Sequence, residues 1–338
     1  MKNFITGGAG FIGSHLSDYL LSQGQEVVVL DDLSTGTLAN LEQALKNPNF
    51  TFVEGDILDR ELVAKLVSES DRVFHLAAVV GVNLIVDEPL RGLRTNIHGT
   101  ESVLDAVREH PRPLLLASTS EVYGKNTADA LHEGSDRVLG DPLKSRWTYA
   151  AAKGIDEAFA HAYWNQYGVE VSIVRFFNTV GPRQTGRYGM VFPNLVGQAL
   201  TGRPLTVFGD GLQTRCFSYV HDIVPAMVKI LEDPRSRGQA YNLGGAQEIS
   251  ILELAEQIIA QLGSASEITL VPYDQAYGPG YEDMRRRVPD NSKSHELIGF
   301  VPNTGVAQII DAVAADLRAR AQDQTSGVPQ GVLSPTLS

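Results

Sequence analysis

Near the N-terminus, the apolar pair Phe4-Ile5 runs into Thr6-Gly7-Gly8-Ala9-Gly10-Phe11-Ile12-Gly13, and a helix-like stretch follows from His15 to Leu21. A strand must end, the backbone must reverse and a helix must begin within a few residues. Gly7 permits the tight turn. Gly10 lets the backbone approach a pyrophosphate closely, and Gly13 lets the helix pack on the strand. The free N–H groups at the helix start, at the positive end of its dipole, then face the diphosphate. A second apolar run, Val27-Val28-Val29-Leu30, ends in Asp31-Asp32. A carboxylate there accepts hydrogen bonds from ribose hydroxyls and repels a 2′-phosphate, which favours NAD over NADP.

The 338 residues suffice for two lobes and a sizeable core. Hydrophobic residues at 43% and charged residues at 20% are proportions of a soluble globular protein. No apolar run is long enough for a membrane span, and the opening stretch lacks the basic, apolar and cleavage regions of an export signal. Cys216 is the only cysteine, so no intrachain disulfide forms, in keeping with a cytoplasmic location. A net charge of −12 argues against nucleic-acid or anionic-membrane partners. It leaves room for an anionic small substrate held by local arginines.

Strand-like runs at 3–6, 26–30, 50–53, 72–76, 113–117 and 169–175 alternate with helix-like segments at 13–22, 60–67, 93–109 and 149–167. This alternation predicts an α/β fold: a doubly wound, Rossmann-type parallel sheet with helices on both faces and ligands beyond the carboxyl ends of its strands. Beyond Gly181-Pro182-Arg183 the texture changes. A short strand at 205–208 and a helix at 251–262 fit a smaller α/β lobe, and residues 240–245 read as a strand returning to the first sheet. The division expected is 1–180 with the return strand near 239–245, then 181–238 and 246–321 as the second lobe. The Gln/Ser/Gly/Pro-rich tail, 322–338, is expected to be disordered.

Reactive side chains cluster at two places. Ser118-Thr119-Ser120-Glu121 follows a strand, and Tyr149 and Lys153 share one helix face through their four-residue spacing. A phenol with a reference pKa near ~10 is a poor base at neutral pH. An adjacent ammonium and a nicotinamide cation both favour its phenolate. His75 reads as a satisfied buried histidine and Cys216 as a packed thiol. The other histidines show no metal-ligand spacing, so no metal is expected. The Arg285-Arg286-Arg287 cluster and Arg215 are the cations an acidic protein needs for a pyrophosphate.

With these residues in place, the chain resembles the NAD-dependent sugar epimerase/dehydratase family of extended short-chain dehydrogenases/reductases. The resemblance is carried by Thr6 to Gly13, Asp31, Asp56-Ile57, His75-Leu76-Ala77-Ala78, Asn96, Thr119 and Tyr149/Lys153. In the second lobe it is carried by Phe176 to Arg183, Leu205 to Gly209 and Arg215 to Asp222. It implies that Asp31, with Asp32, binds the adenosine ribose and that Asp56 and Ile57 contact adenine. Gly7, Gly10, Phe11, Ile12, Gly13, Leu76, Ala77, Ala78, Asn96, Ser118 and Phe176 complete the implied NAD site. Tyr149 is then the base, Lys153 lowers its pKa and holds the nicotinamide ribose, and Thr119 donates to the sugar oxygen at carbon 4. Asn178, Val207, Phe208, Arg215 and Arg287 match positions that hold a nucleotide diphosphate. Arg187, Val191, Thr206 and Gln213 join them in a nucleotide-sugar-binding lobe for a UDP-sugar. The helices at 93–109 and 149–167 imply a homodimer paired through a four-helix bundle.

The shared chemistry is oxidation at carbon 4, after which the 4-keto sugar is reduced from its other face, dehydrated or decarboxylated. In 4,6-dehydratases Asp-Glu follows the threonine, whereas here Ser120-Glu121 follows Thr119. A serine hydroxyl protonates a leaving hydroxide poorly, so dehydration is disfavoured. Thr-Ser-Glu-Val-Tyr-Gly resembles UDP-glucuronate decarboxylases, with Glu121 and Arg215 matching residues implicated in their chemistry. Thr119 and Ser120 can bind a carboxylate as neutral donors, leaving carbon dioxide free to depart. Ala150-Ala151-Ala152 and Met190 depart from the xylose-forming pattern, and Arg215 also matches a diphosphate position of epimerases. Decarboxylation, to UDP-xylose or a released UDP-4-keto-pentose, is the first expectation, and 4-epimerisation is the alternative.

Overall fold

The structure is a computed structural model that describes residues 1–80, 89–186, 189–277 and 282–325. The strands are β1 (Lys2–Thr6), β2 (Glu26–Asp31), β3 (Phe50–Glu54), β4 (Arg72–His75), β5 (Leu114–Thr119), β6 (Val171–Phe177), β7 (Thr179–Val180), β8 (Leu205–Phe208), β9 (Thr214–Cys216), β10 (Ser218–Tyr219), β11 (Ala240–Gly244), β12 (Glu248–Ser250) and β13 (Ile268–Val271). The helices are α1 (Phe11–Ser22), α2 (Arg60–Ser68), α3 (Pro89–Glu109), α4 (Thr148–Tyr167), α5 (Val191–Leu200), α6 (Val220–Glu232), α7 (Ile251–Leu262), α8 (Tyr273–Tyr277), α9 (Ser292–Ile298) and α10 (Val306–Thr325).

Among the described residues, seven strands form one sheet in the order β11-β6-β5-β4-β1-β2-β3, with every neighbouring pair parallel. The chain runs to one side of β1 through β2 and β3 and to the other through β4, β5 and β6. A crevice therefore opens beyond the carboxyl ends of β1 and β4, where such sheets bind ligands. The apolar run in β2 does not alternate with polar residues because both faces of the sheet are covered. Ile5, Val27, Val29, Phe74, Leu115 and Val174 point to one face, where α1 and α6 pack. Phe4, Val28, Leu30, Val73, Leu114 and Leu116 point to the other, beneath α2, α3 and α4. Successive side chains thus feed two separate cores, as the two-residue period of a strand requires.

The smaller lobe has its own core, in which α5, α7 and α10 bury Phe192, Leu195, Leu254, Ile258, Ile309 and Ile310. The β8/β13 parallel pair and the β9/β12 antiparallel pair belong to this half. Ser250 opens α7 with a capping box to Glu253, and Gly263 closes it at φ +60.

Several expected boundaries change. Strand β5 runs on to Thr119 because Ser118 and Thr119 keep parallel register with Arg175 and Phe176 of β6. Helix α6, expected in the second lobe, packs on α1 and the central sheet through Val220, Ile223, Val224 and Met227. The chain therefore crosses back to the sheet before β11, earlier than the sequence division places it. Helix α10 continues through Thr325, so residues 322–325 are helical, and 326–338 lie outside the described residues.

The β1-to-α1 turn allows no side chain at two positions. Gly7 has φ +70, and a Cβ there would lie 2.7 Å from Ala77 N. A Cβ on Gly13 would lie 2.4 Å from Gly7 O and 2.6 Å from Gly8 Cα, both backbone atoms that cannot swing aside. Gly13→Ala is therefore expected to cost about 1–3 kcal/mol by overpacking and to weaken dinucleotide binding. Gly305→Ala, where nothing lies within 4 Å, should stay within about 0.5 kcal/mol of the parent. Thermal melts and calorimetric titration of the two variants check this.

Candidate active site

The carboxyl ends of β1, β4, β5 and β6 and the inner face of the second lobe enclose one cavity of about 760 Å³. Gly7, Gly10, Phe11, Ile12, Gly13, Asp31, Asp32, Ile57, Leu76, Ala77, Ala78, Ser118 and Phe176 line its sheet side. Helix α1 starts at Gly10 with no side chain capping it. Its first N–H groups are thus open to an anion, as a diphosphate needs. Asp31 is 8% exposed and accepts hydrogen bonds from Ala9 N and Leu33 N, each at 2.9 Å. Burial pushes its carboxyl upward, while those two N–H donors pull it back. Asp31 thereby braces the turn and presents a carboxylate edge to the cavity. The uncapped helix, the side-chain-free turn and the acid at the end of β2 together fit a dinucleotide.

Two expected cofactor residues stand off the wall. Asp56 Oδ1 accepts from Leu58 N at 2.9 Å and closes a local turn. Asn96 accepts from Val79 N at 2.8 Å and donates to Val79 O at 3.3 Å, so it shapes the wall by holding Val79. His75 is 1% exposed and satisfied on both sides, by Thr6 Oγ1 at 2.7 Å and Thr100 Oγ1 at 3.0 Å. Burial, then the charge of Lys153, brings its pKa down to about 3, so it is neutral.

Tyr149 and Lys153 sit on the first turns of α4 and line the cavity beside Thr119. The Thr119 hydroxyl hydrogen-bonds the Tyr149 phenol and accepts from Glu121 N at 3.2 Å. Burial pushes the phenol strongly upward. The charges of Glu121 and Asp156 push it further, and only the Thr119 hydrogen bond pulls it down. Lys153 donates to Asp156 Oδ2 at 3.0 Å. The ammonium expected to favour the phenolate is thus itself paired with a carboxylate. The Ser118 hydroxyl donates to Glu157, which also binds Arg175 through both oxygens, at 2.9 and 2.6 Å.

Opposite the phenol lies a cage of buried charge. Arg146 Nη1 donates to Glu121 Oε2 at 2.6 Å, and Arg287 Nη1 approaches Glu121 Oε1 at 3.4 Å. Arg215 donates to both oxygens of Asp283, at 3.1 and 3.0 Å. Tyr273 donates to Asp283 at 3.0 Å, and Arg287 Nη2 donates to Asn178 Oδ1 at 2.7 Å. Three guanidiniums against two carboxylates leave one excess positive charge, suited to an anion. Burial opposes the charge on Glu121, but Arg146, Arg287 and Arg215 outweigh it and hold the carboxyl at about 2. Burial, then Arg215, lowers Arg287 to about 10, so it stays ionised at neutral pH.

The expected substrate residues divide. Thr119, Ser120, Asn178, Val191, Thr206, Phe208, Gln213, Arg215 and Arg287 line the cavity. Val207 is fully buried in the core of the smaller lobe, because β8 alternates its faces. Arg187 lies outside the described residues. Of the three consecutive arginines, Arg285 turns outward to Asp210 and Arg286 to Glu248, and only Arg287 reaches the site. Glu121 and Arg215, both singled out by the sequence, take different partners: Arg146 and Arg287 contact Glu121, and Arg215 binds Asp283. It also missed Arg146, Asp283 and Asp156. For Asp156 a signal existed, because it stands three residues beyond Lys153 on the same helix.

The model of the family described as GDP-mannose 4,6 dehydratase matches residues 4–313. A UDP-N-acetyl-alpha-D-glucosaminuronate decarboxylase of Bacillus cytotoxicus is 40% identical over 90% of this chain and 94% of its own length. UDP-glucuronic acid decarboxylase 1 of Xenopus tropicalis is 37% identical over 95% of this chain and 74% of its own length. The solved UDP-glucuronic acid 4-epimerase of Bacillus cereus, in complex with UDP-glucuronic acid and NAD, superposes with a TM-score of 0.85. It is 29% identical and covers 95% of this chain and 100% of its own.

Glu121 gives a pH test of the cage. Its folded pKa of about 2 lies below the ordinary 4.5, so its contribution to stability is present above 4.5 and lost as pH falls through 2. Denaturant midpoints of the parent and Glu121→Gln should differ at neutral pH and converge between pH 4.5 and about 2. A gap that is constant across that window contradicts the cage.

Proposed function

This chain belongs to the GDP-mannose 4,6 dehydratase family of extended short-chain dehydrogenases/reductases, and within it we propose that it is an NAD-dependent decarboxylase acting on a UDP-hexuronate. UDP-glucuronate is the first substrate to test, and its 2-acetamido counterpart the second, as the names of the decarboxylase relatives suggest. One observation carries the reading: a carboxylate held ionised, Glu121, faces the Thr119/Tyr149 pair inside a cage of arginines. An ionised Glu121 cannot protonate a leaving hydroxide, and the neighbouring Ser120 is no better, so dehydration lacks its acid.

The Gly7–Gly13 turn, the start of α1 and Asp31 would hold NAD. When bound, NAD accepts the two electrons released at carbon 4 and can return them. Tyr149 takes the proton of the carbon-4 hydroxyl, and Thr119 holds that oxygen in place. The sugar's carboxylate, borne on carbon 5, is then β to the carbon-4 ketone and can leave as neutral carbon dioxide. The electron pair of the broken carbon 5–carbon 6 bond moves onto the carbon-4 oxygen, where Thr119 and Tyr149 donate to it. One proton from solvent is added at carbon 5, so the reaction consumes a proton as it releases carbon dioxide. Arg215 and Arg287, with Asn178, bind the diphosphate. Gln213 and Phe208 complete that end of the site, while Thr206, hydrogen-bonded to Gln198 at 2.7 Å, supports it.

The likeness to the UDP-glucuronic acid 4-epimerase favours a second reading, in which the 4-keto sugar turns over before the electrons return. The protein is further read as a cytoplasmic homodimer pairing through α3 and α4, which lie side by side on one sheet face. Among the described residues no helix is long and apolar enough to cross a membrane.

Mass spectrometry of the product from UDP-glucuronate decides between the reactions. Loss of carbon dioxide is the expected result, an isomer of unchanged mass establishes the epimerase, and no product from either hexuronate sinks both. Tyr149→Phe is expected to abolish turnover while leaving NAD binding intact. Activity in that variant near the parent level removes Tyr149 from the role of base.

A further inference from the structure

Helix α4 carries a second acid on its reactive face. Tyr149, Lys153 and Asp156 stand at positions i, i+4 and i+7 and so share one stripe of the helix. The Asp156 side chain is fully buried, the Lys153 side chain is 3% exposed, and their charged atoms lie 3.0 Å apart. A buried pair of this kind is costly to desolvate and is weak evidence for stability alone. Asp156 Oδ2 accepts from Lys153 and the Thr100 hydroxyl also bonds the carboxylate, while Oδ1 is left without a geometric partner among the described residues. Nothing in the packing of α4 on the sheet calls for an acid here, where an apolar side chain would bury more cheaply.

We infer that Asp156 is a positioning residue for Tyr149 and Lys153: its carboxylate anchors the Lys153 ammonium and offsets the charge that this ammonium presents to the phenol. The inference rests on the roles proposed above for those two residues. The ammonium has three N–H donors, of which one is committed to Asp156, so two would remain for the phenol and the cofactor ribose in the roles proposed above. Among the described residues that act on Asp156, Lys153 is the cation. From its own helix it faces Lys153, Tyr149 and Glu157, and Glu157 is neutralised by Arg175 of β6. From α3 it faces the uncharged Thr100 hydroxyl, which favours its ionised form. Beyond Thr100 lies His75 of β4, which is neutral and bonded to Thr6 at the end of β1. From the end of β5 come the hydroxyl of Thr119, against the phenol, and Glu121, whose charge is taken up by Arg146 and Arg287.

The chain Lys153, Asp156, Thr100, His75, Thr6 thus links the reactive ammonium to the strand end that starts the dinucleotide turn. Its consequence concerns proton transfer. A carboxylate beside the ammonium makes the phenol a stronger base that ionises only at higher pH. Neutralising Asp156 should therefore move Tyr149 ionisation and the acid limb of turnover toward lower pH.

The test uses the full chain with NAD present and compares the parent, Asp156→Asn, Asp156→Glu and Thr100→Val. Tyr149 phenolate is read, at one alkaline pH where all are folded by circular dichroism, as the tyrosinate absorbance lost on adding Tyr149→Phe to each. The pH profile of kcat is measured alongside. Asp156→Asn should raise the phenolate fraction about tenfold and shift the acid limb down by about one pH unit. Thr100→Val should move both in the same direction by less, and Asp156→Glu should restore the parent profile. A folded Asp156→Asn with unchanged phenolate and an unmoved acid limb overturns the inference. If that variant does not fold, an unmoved Thr100→Val does so. Absence of turnover in the parent would instead overturn the proposed function, and the absorbance comparison would still decide the role of Asp156.

Discussion

Three guanidiniums and two carboxylates meet at the seam between the sheet and the smaller lobe, and the geometry of the site follows from their pairing. Glu121 comes from the turn after β5, Arg146 from the loop before α4, and Arg215, Asp283 and Arg287 from the smaller lobe. Removing Glu121 or Asp283 leaves buried guanidinium charge without its counterpart, which is far more costly than losing a surface pair. The seam is reinforced outside the cavity. Glu282 accepts from Lys125 at 3.0 Å, Lys144 at 2.6 Å and Trp147 at 3.1 Å, pinning the loop that carries Arg146. Behind it, Asn242 of β11 binds the Tyr123 hydroxyl at 2.8 Å and the backbone of Leu131 and Asp290. The two halves are thus joined by specific polar contacts rather than by apolar area alone.

The same pairing sets the chemistry. Arginines that keep Glu121 ionised deny it the role of acid and give it that of a fixed negative charge. That charge acts on the phenol. Tyr149 therefore stands in a site that opposes its ionisation, through burial and two acids. In the proposed reaction the positive charge of an oxidised nicotinamide would favour the phenolate against these effects.

Much of this was legible in the sequence wherever the physics is local. The turn of β1 into α1, the acid ending β2 and the four-residue spacing of Tyr149 and Lys153 each depend on neighbours within a few residues. So does the parallel alternation, since buried strands of this kind read as unbroken apolar runs. What escaped depends on distant partners. Arg146 and Asp283 are unremarkable in their own segments and gain meaning only where the lobes meet. The amphipathic face of α6 announces burial but not which core receives it, and it goes to the sheet. Arg285, Arg286 and Arg287 look like one basic patch, yet each goes to a different partner: Asp210, Glu248 and, inside the site, Asn178. An acid on a helix is ordinarily solvated, so for Asp156 only its i,i+3 spacing from Lys153 pointed to a pair, and its burial shows only in the fold.

In the proposed reaction Tyr149 removes the carbon-4 hydroxyl proton while the carbon-bound hydrogen leaves with its electrons for the nicotinamide. Substrate carrying deuterium at carbon 4, turned over in ordinary water, tests it most directly. The label is expected to stay in non-exchangeable positions, at carbon 4 of the product or on the nicotinamide ring, with none in water. Deuterium released to solvent in step with product would contradict it.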